Sequence, residues 1–190
     1  MTLTPDPAEL LARARADLRM GLPLVLGGAH PIVFAAAETL GEDRARDLVA
    51  LSAEPVLTVS ARRASTLKAH AYDRDIARLV LPKDADLSWL KGVADPADDL
   101  RTPMKGPLVS ARDGDASPHR FALQLAKSAR LLPAVLCVPV PDGHRFAAAH
   151  DLVLLDLETV QGTMEERSPL HPVVAARLPL EVSEAGRLHI

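Results

Sequence analysis

The densest group of reactive side chains in the sequence is Arg112-Asp-Gly-Asp115, followed four positions on by His119 and Arg120. An arginine, two carboxylates and a histidine close to a predicted helix start could hold an anionic ligand, because the first-turn amides of a helix favour negative charge. Arg112, Asp113, Asp115, His119 and Arg120 are therefore the candidate ligand-binding residues. The competing reading of the same stretch is a turn followed by a helix cap. Neither reading needs a catalytic role, and no catalytic residue is assigned.

The remaining reactive groups form no recognised constellation. His30, His70, His119, His144, His150, His171 and His189 are scattered, and no two have the close spacing of a helical metal pair. His144 and His150, with Asp142 and Asp151 nearby, read as loop histidines beside a turn at Asp142-Gly143. Asp84, Asp86, Asp95, Asp98 and Asp99 form a loose acidic run that reads as solvated surface. A magnesium site would need well-placed carboxylates together with a phosphate ligand. Gly27-Gly28 lacks the lysine and hydroxyl of a phosphate-binding loop and is read as a turn. Ser60 and Ser110 lack the context of a nucleophile elbow. Cys137 sits in the apolar run Ala134-Val-Leu-Cys-Val138 and reads as a small buried hydrophobe. One cysteine cannot form an internal disulfide or a cysteine-rich zinc site. No metal is assigned.

The elements that must position these side chains follow from the hydrophobic pattern. The 190 residues are 48% hydrophobic but only 3% aromatic, so the core is expected to consist of Leu, Val and Ala, with few rings for stacking on a base. A net charge of −3 with interspersed signs argues against nucleic acid as a partner. No apolar run approaches the roughly 20 residues of a membrane span, and the opening Met1-Thr-Leu-Thr-Pro-Asp lacks the features of a signal peptide. The expected compartment is the cytoplasm, with no membrane partner.

Asp6, Pro7 and Glu9 form a capping box that opens a helix with Leu10, Leu11, Ala14 and Leu18 on one face, closed by Gly21. Strands are expected at 22–26 and 32–35, joined as a hairpin. A helix at 42–51, a strand at 56–59 and a short helix from the Ser60 cap to about Ala69 follow. A strand at 79–81 leads to a helix capped by Asp84. From Ala94 to Pro118 the pattern dissolves into turns, with at most a strand at Leu108-Val109; so long an irregular segment is often a lid or mobile loop. Ser117 then caps a helix running to about Leu131, and apolar strands follow at 134–138 and 152–155. The fold class is α/β, a mixed sheet with helices packed on it. Residues 1–160 form this domain. Residues 161–190 read as a linker and the start of a further domain, because Gly186-Arg-Leu-His-Ile190 alternates like a strand and stops mid-pattern; an edge strand on the same sheet is the alternative.

Three segments resemble a 3,4-dihydroxy-2-butanone 4-phosphate synthase. Asp17-Leu-Arg-Met-Gly-Leu-Pro-Leu-Val-Leu26 resembles that family's opening helix and first strand, and Ile32-Val-Phe-Ala-Ala-Ala-Glu38 its second strand. His119 to Val138 resembles its late helix and strand. The departures bear on activity. The active family has an acidic, arginine-bearing segment between the first two strands, supplying carboxylates for magnesium and acid–base work on ribulose 5-phosphate. Here that segment is Gly27-Gly-Ala-His-Pro31, without a carboxylate. The family's Arg-x-Gly-His-Thr-Glu motif is replaced by Ser117-Pro-His-Arg-Phe121, which keeps at most the histidine. Without the acidic ligands, metal-assisted enediol chemistry has no anchor.

A degenerate domain of this kind is similar to the front part of certain bacterial GTP cyclohydrolase II proteins of riboflavin biosynthesis, and the 174–190 tail resembles the opening of a cyclohydrolase domain. The resemblance implies a scaffold or regulatory role, with that domain or a second copy of this chain (a homodimer) as partner. It implies no cofactor in this chain. Zinc is expected only in a cyclohydrolase domain missing from it, where three cysteines hold the metal. The alternative is a divergent enzyme on the same fold that binds a sugar phosphate or nucleotide.

Overall fold

A computed structural model describes residues 4–52, 54–101, 103, 105–165, 175–177 and 187–189. The chain runs α1 (Pro7–Arg19), β1 (Leu24–Gly27), β2 (Ile32–Ala36), α2 (Glu42–Ala50), β3 (Val56–Ser60), α3 (Ala61–Thr66), β4 (Ile76–Val80) and α4 (Leu87–Ala94). A short 3-10 turn (Pro96–Asp98) follows, then α5 (Ser117–Ser128), β5 (Ala134–Pro139), α6 (Gly143–His150), β6 (Leu154–Asp156), α7 (Leu157–Glu165), β7 (Ala175–Arg177) and β8 (Arg187–His189). β1 to β6 form one sheet in the order β4-β3-β5-β2-β1-β6. All neighbours are antiparallel except β1 and β6, so the sheet is mixed, as the pattern and the β1–β2 hairpin predict.

Alternation along the strands sends side chains to two opposite faces, and both faces are apolar. Leu24, Leu26, Phe34, Val135 and Cys137 pack against Leu11 and Leu18 of α1, Phe121 and Leu125 of α5 and Val160 of α7. On the other face Val25, Val33, Leu57, Leu79 and Leu136 meet Ala45 and Leu48 of α2, Leu90 of α4 and Ala147 of α6. The sheet is thus sandwiched between helical layers, which is why β5 reads as an unbroken apolar run. Phe34 and Phe121 are the only aromatic rings in the first cluster's buried set; the rest of that core is aliphatic, as the composition implies.

Several local expectations are corrected. Asp86, not Asp84, caps α4, its carboxylate accepting from the Trp89 amide at 2.7 Å. Ser117 is the first helical residue of α5 rather than its cap. The cap position is Ala116, and Asp115 accepts from the Ser117 amide at 2.9 Å. β1 begins at Leu24, and β4 begins at Ile76 and ends at Val80. α3 and α5 stop short, and a left-handed residue follows each, Lys68 at φ 59° and Arg130 at φ 62°. In place of a strand at Leu108-Val109 there is one isolated bridge between Leu79 and Ser110. His144 and His150 lie on α6, a helix capped by Asp142, not in a loop. α7 runs across residues 160 and 161, because Leu157, Val160 and Met164 share one face against the core. β8 pairs with β7 in a separate two-stranded sheet and is not an edge strand of the main one. The rest of the 166–190 stretch lies outside the described residues.

Candidate functional site

A cleft of about 820 Å³ opens at one end of the main sheet, where Ile32 starts β2, Val56 starts β3, Val80 ends β4 and Pro139 ends β5. Antiparallel register brings these ends together, Ile32 opposite Pro139 and Val56 opposite Val80. The β1–β2 turn, the segment entering β3, the β5–α6 turn and residues 111–119 complete the walls. Pro31, Pro55, Pro118, Pro139 and Pro141 line the cleft. A proline has a fixed φ and no N–H, so this rim is preorganised and poor in backbone donors.

Four of the five candidate residues converge here: Arg112, Asp113, Asp115 and His119 all line the cleft. Arg120 does not. Its guanidinium turns away to Asp75 (2.9 Å) and to the Asp73 carbonyl (3.1 Å). Arg112 lies over the Tyr72 ring at 4.8 Å, and that ring stacks on His70. Asp115 is held below the ordinary carboxylate range, first by the Ser117 amide and hydroxyl and then by the nearby His30 and His119. Its first task is therefore to occupy the start of α5.

His119 is pushed down to about 4, first by burial and then by the Arg78 charge, which together outweigh Asp73 and Asp115. It is a neutral imidazole near pH 7, and its buried Nδ1 has no hydrogen-bond partner among the described residues. A buried polar atom left unpaired costs about 1–3 kcal/mol, so this atom is a place where a ligand or water could gain a bond.

Three further residues that no sequence motif marks line the cleft: His30, Glu54 and Arg78. Arg78 is only 5% exposed, and Nε and Nη2 fork onto Asp73 at 2.8 and 3.2 Å. Its Nη1 donates to no acceptor among the described residues, and a Cβ on Gly114 would sit in ordinary contact with it at 3.7 Å. The signal for Arg78 was present in Ile76-Ala-Arg-Leu-Val80, where a charge interrupts an apolar strand. Its partner Asp73 lies outside the strand, and nothing in the spacing links the two.

The other reactive groups are structural. Asp86 and Asp95 cap short helical turns, and Asp99 pairs with Arg63 and Lys105. Cys137 is fully buried, and burial pushes its thiol up to about 12. A divalent cation of the kind a synthase fold implies does not fit the donors present. The β1–β2 turn offers His30 as its single titratable side chain. Among the described residues no group of three His, Cys, Asp or Glu side chains is arranged to hold a metal.

No family model matches the chain. It is 32% identical over 192 aligned positions to a GTP cyclohydrolase-2 from Azospirillum brasilense, a match covering 96% of this chain and 50% of the relative. The chain therefore spans about half the length of that curated protein. Among solved structures, a cation-free 3,4-dihydroxy-2-butanone 4-phosphate synthase aligns with TM-score 0.62 at 12% identity, covering 82% of this chain and 97% of that one. The same synthase activity is named for a structure with two magnesium ions, at TM-score 0.60 and 12% identity, covering 86% and 98%. A two-domain 3,4-dihydroxy-2-butanone 4-phosphate synthase from A. baumannii aligns at TM-score 0.54 and 15% identity, covering 97% of this chain and 65% of that protein. By fold the chain is a 3,4-dihydroxy-2-butanone 4-phosphate synthase-like domain, and by sequence it is related to a GTP cyclohydrolase-2, which ties it to the enzymes of riboflavin biosynthesis.

Proposed function

We propose that this chain is a non-catalytic scaffold or regulatory domain of a GTP cyclohydrolase II, acting in the cytoplasm. The observation that carries the reading is the β1–β2 turn. It sits at the mouth of the cleft, yet Gly28, Ala29, His30 and Pro31 offer a divalent cation no carboxylate. The carboxylates that do line the cleft, Glu54, Asp113 and Asp115, are all solvent-exposed, and Asp115 is already committed to Ser117. Residues 161–190 are read as the approach to a cyclohydrolase domain. β7 and β8 pair with each other and not with the main sheet, and a two-stranded ribbon is marginal in water without a further surface. The partner is then that domain or a second copy of this chain, and the zinc belongs to the cyclohydrolase part.

The test has two arms. The purified chain is given ribulose 5-phosphate and magnesium, and the expected result is no turnover; measurable turnover overturns the reading. A cyclohydrolase domain is then assayed for stability and GTP opening with and without this chain attached. Equal behaviour in both forms would remove the scaffold role.

A second reading is favoured by one observation, that Arg78 lines the cleft with an Nη1 that donates to no acceptor among the described residues. With Arg112, Asp113, Asp115 and His119 it would make the cleft a site for an anionic ligand, a sugar phosphate or a nucleotide, on a divergent enzyme. Arg120, engaged with Asp75, would contribute only indirectly. The described lining holds no Phe, Tyr or Trp, so a base would find no ring to stack on. This reading expects a higher melting temperature with ribulose 5-phosphate than without it; an unchanged melting temperature at millimolar ligand counts against it.

A further inference from the structure

Arg78 enters the cleft from the middle of β4 with half of its guanidinium spent. Nε and Nη2 hold Asp73, whose side chain is 12% exposed, so a largely buried carboxylate already balances the arginine's charge. A guanidinium has a second fork, formed by Nη1 and the other hydrogen of Nη2. Nη1 has no acceptor among the described residues, and it sits beside Gly114 of the cleft wall. His119 lines the same cleft within reach of the Arg78 charge, and its buried Nδ1 has no hydrogen-bond partner among the described residues.

Such a fork takes either a carboxylate or a phosphoryl group, and its surroundings separate the two. A phosphoryl dianion is held where several backbone amides, a helix start or a second cation converge. Here the start of α5 is occupied. The Ser117 amide donates to Asp115, and the next residue, Pro118, has no N–H. The Ala111 amide donates to the Arg78 carbonyl at 2.8 Å and the Val140 amide to the Pro31 carbonyl at 3.1 Å. The other guanidinium of the lining, Arg112, rests over Tyr72, a ring outside that lining. Against these two arginines the cleft sets three carboxylates, Glu54, Asp113 and Asp115. They repel a dianion more than a monoanion. The rest of the wall is aliphatic, with Ile32, Val56, Val80 and Val140 beside the prolines.

Resting on the second reading of the cleft, we infer that its ligand is an organic monocarboxylate and not a phosphate ester. The carboxylate takes the Nη1–Nη2 fork of Arg78, and the apolar body of the ligand lies against the aliphatic wall. One planar pair of oxygens matches one planar fork. A single negative charge is what a guanidinium already balanced by Asp73 can accept inside an acidic rim. Burial of the fork strengthens the bond it makes.

The test uses the full chain with three probes: butyrate, its uncharged isostere butyramide and inorganic phosphate. Ionic strength is held constant, at about pH 8, where phosphate is chiefly a dianion. Binding is followed by NMR at the amides of Gly114 and His119, with Ala37, bonded to the Ala134 carbonyl inside the main sheet, as reference. Butyrate should shift Gly114 and His119 but not Ala37, and should bind about tenfold more tightly than either other probe. Arg78→Lys keeps the charge and loses the fork, so it should abolish the butyrate shifts; retained binding rules out the fork. Because that variant also disturbs Asp73, Glu54→Gln combined with Asp113→Asn gives an independent measurement. Both side chains are exposed, so the fold should be kept, and phosphate should gain on butyrate. An unchanged preference in that variant overturns the rim's part in selection. Phosphate binding as tightly as butyrate in the wild type overturns the monocarboxylate and leaves the anionic-ligand reading standing. Butyramide equal to butyrate overturns both, as does the absence of any shift with all three probes.

Discussion

Two buried arginines in this molecule are treated differently, and the difference separates structure from candidate function. Arg63 has a hydrogen bond from each of its three nitrogens, to three carbonyls and a carboxylate. Arg78 is buried as deeply, but only its Nε–Nη2 edge is bonded, to Asp73, and among the described residues neither its Nη1 nor the Nδ1 of the neighbouring His119 has a hydrogen-bond partner. A fully hydrogen-bonded buried charge rigidifies the structure around it, whereas one with a donor still free can bind something further. The region around Arg63 is accordingly read as a fastening, and the region around Arg78 as a place where something else can bind.

The largest effect expected from this contrast is at Arg63. Arg63→Met strands three carbonyls and should cost about 3–5 kcal/mol, the range for breaking one side of a buried pair, read by urea denaturation. A cost below about 1 kcal/mol would make the fastening no stronger than a surface ion pair and erase the contrast. Arg78→Met should cost somewhat less, about 2–4 kcal/mol, because it leaves Asp73 without its partner. Asp73→Asn combined with Arg78→Met should recover much of that loss, a coupling a double-mutant cycle measures. If the double variant is no better than the single, Arg78 is held by something other than Asp73.

His119 sharpens the comparison through pH. Its folded value of about 4 lies below the ordinary 6.5, so the folded state resists protonation. The stabilising contribution is present above pH 6.5 and is lost as pH falls toward 4, because the unfolded chain takes up the proton first. The size is about 2–3 kcal/mol across that window. His119→Gln should flatten the stability profile between pH 6.5 and 4, as followed by thermal melts; an unaltered profile would place the pH response elsewhere. The smallest expected effect tests a helix start. Asp86→Ala should cost about 1 kcal/mol as the loss of a helix cap, while Asp84→Ala should leave the melting temperature within error. The opposite order would return the cap to Asp84.

Local sequence carried much of the framework. The capping box of Asp6 and Glu9, the β1–β2 hairpin and the apolar run of β5 are visible because each depends on residues adjacent in the chain or on simple alternation. α6 is hidden in the sequence because Gly143 at its start reads as a turn, and because its apolar face rests on alanines, which mark a core weakly. The extent of α7 is obscured because Gly162 and the polar residues after it look like a linker, while the Leu157, Val160 and Met164 stripe is short. Of the candidate ligand residues, Arg112 to His119 lie within eight positions and were found together for that reason. Arg120 is linked to them by adjacency alone, and the helical turn sends it to Asp75 instead.

What the sequence determines by itself is the alternation of strands and helices, the aliphatic core and the lack of carboxylates between the first two strands, since each is a matter of residue type and near-neighbour spacing. Only the tertiary structure decides that Arg78 faces a cleft, that Arg63 reaches Asp99 and that residues 109–111 lie along β4. Those contacts join segments 31 to 36 residues apart, 36 for Arg63 and Asp99 and 31 for Leu79 and Ser110. A pairing at that distance is set by where the sheet places each strand end, and side-chain type alone carries no record of it.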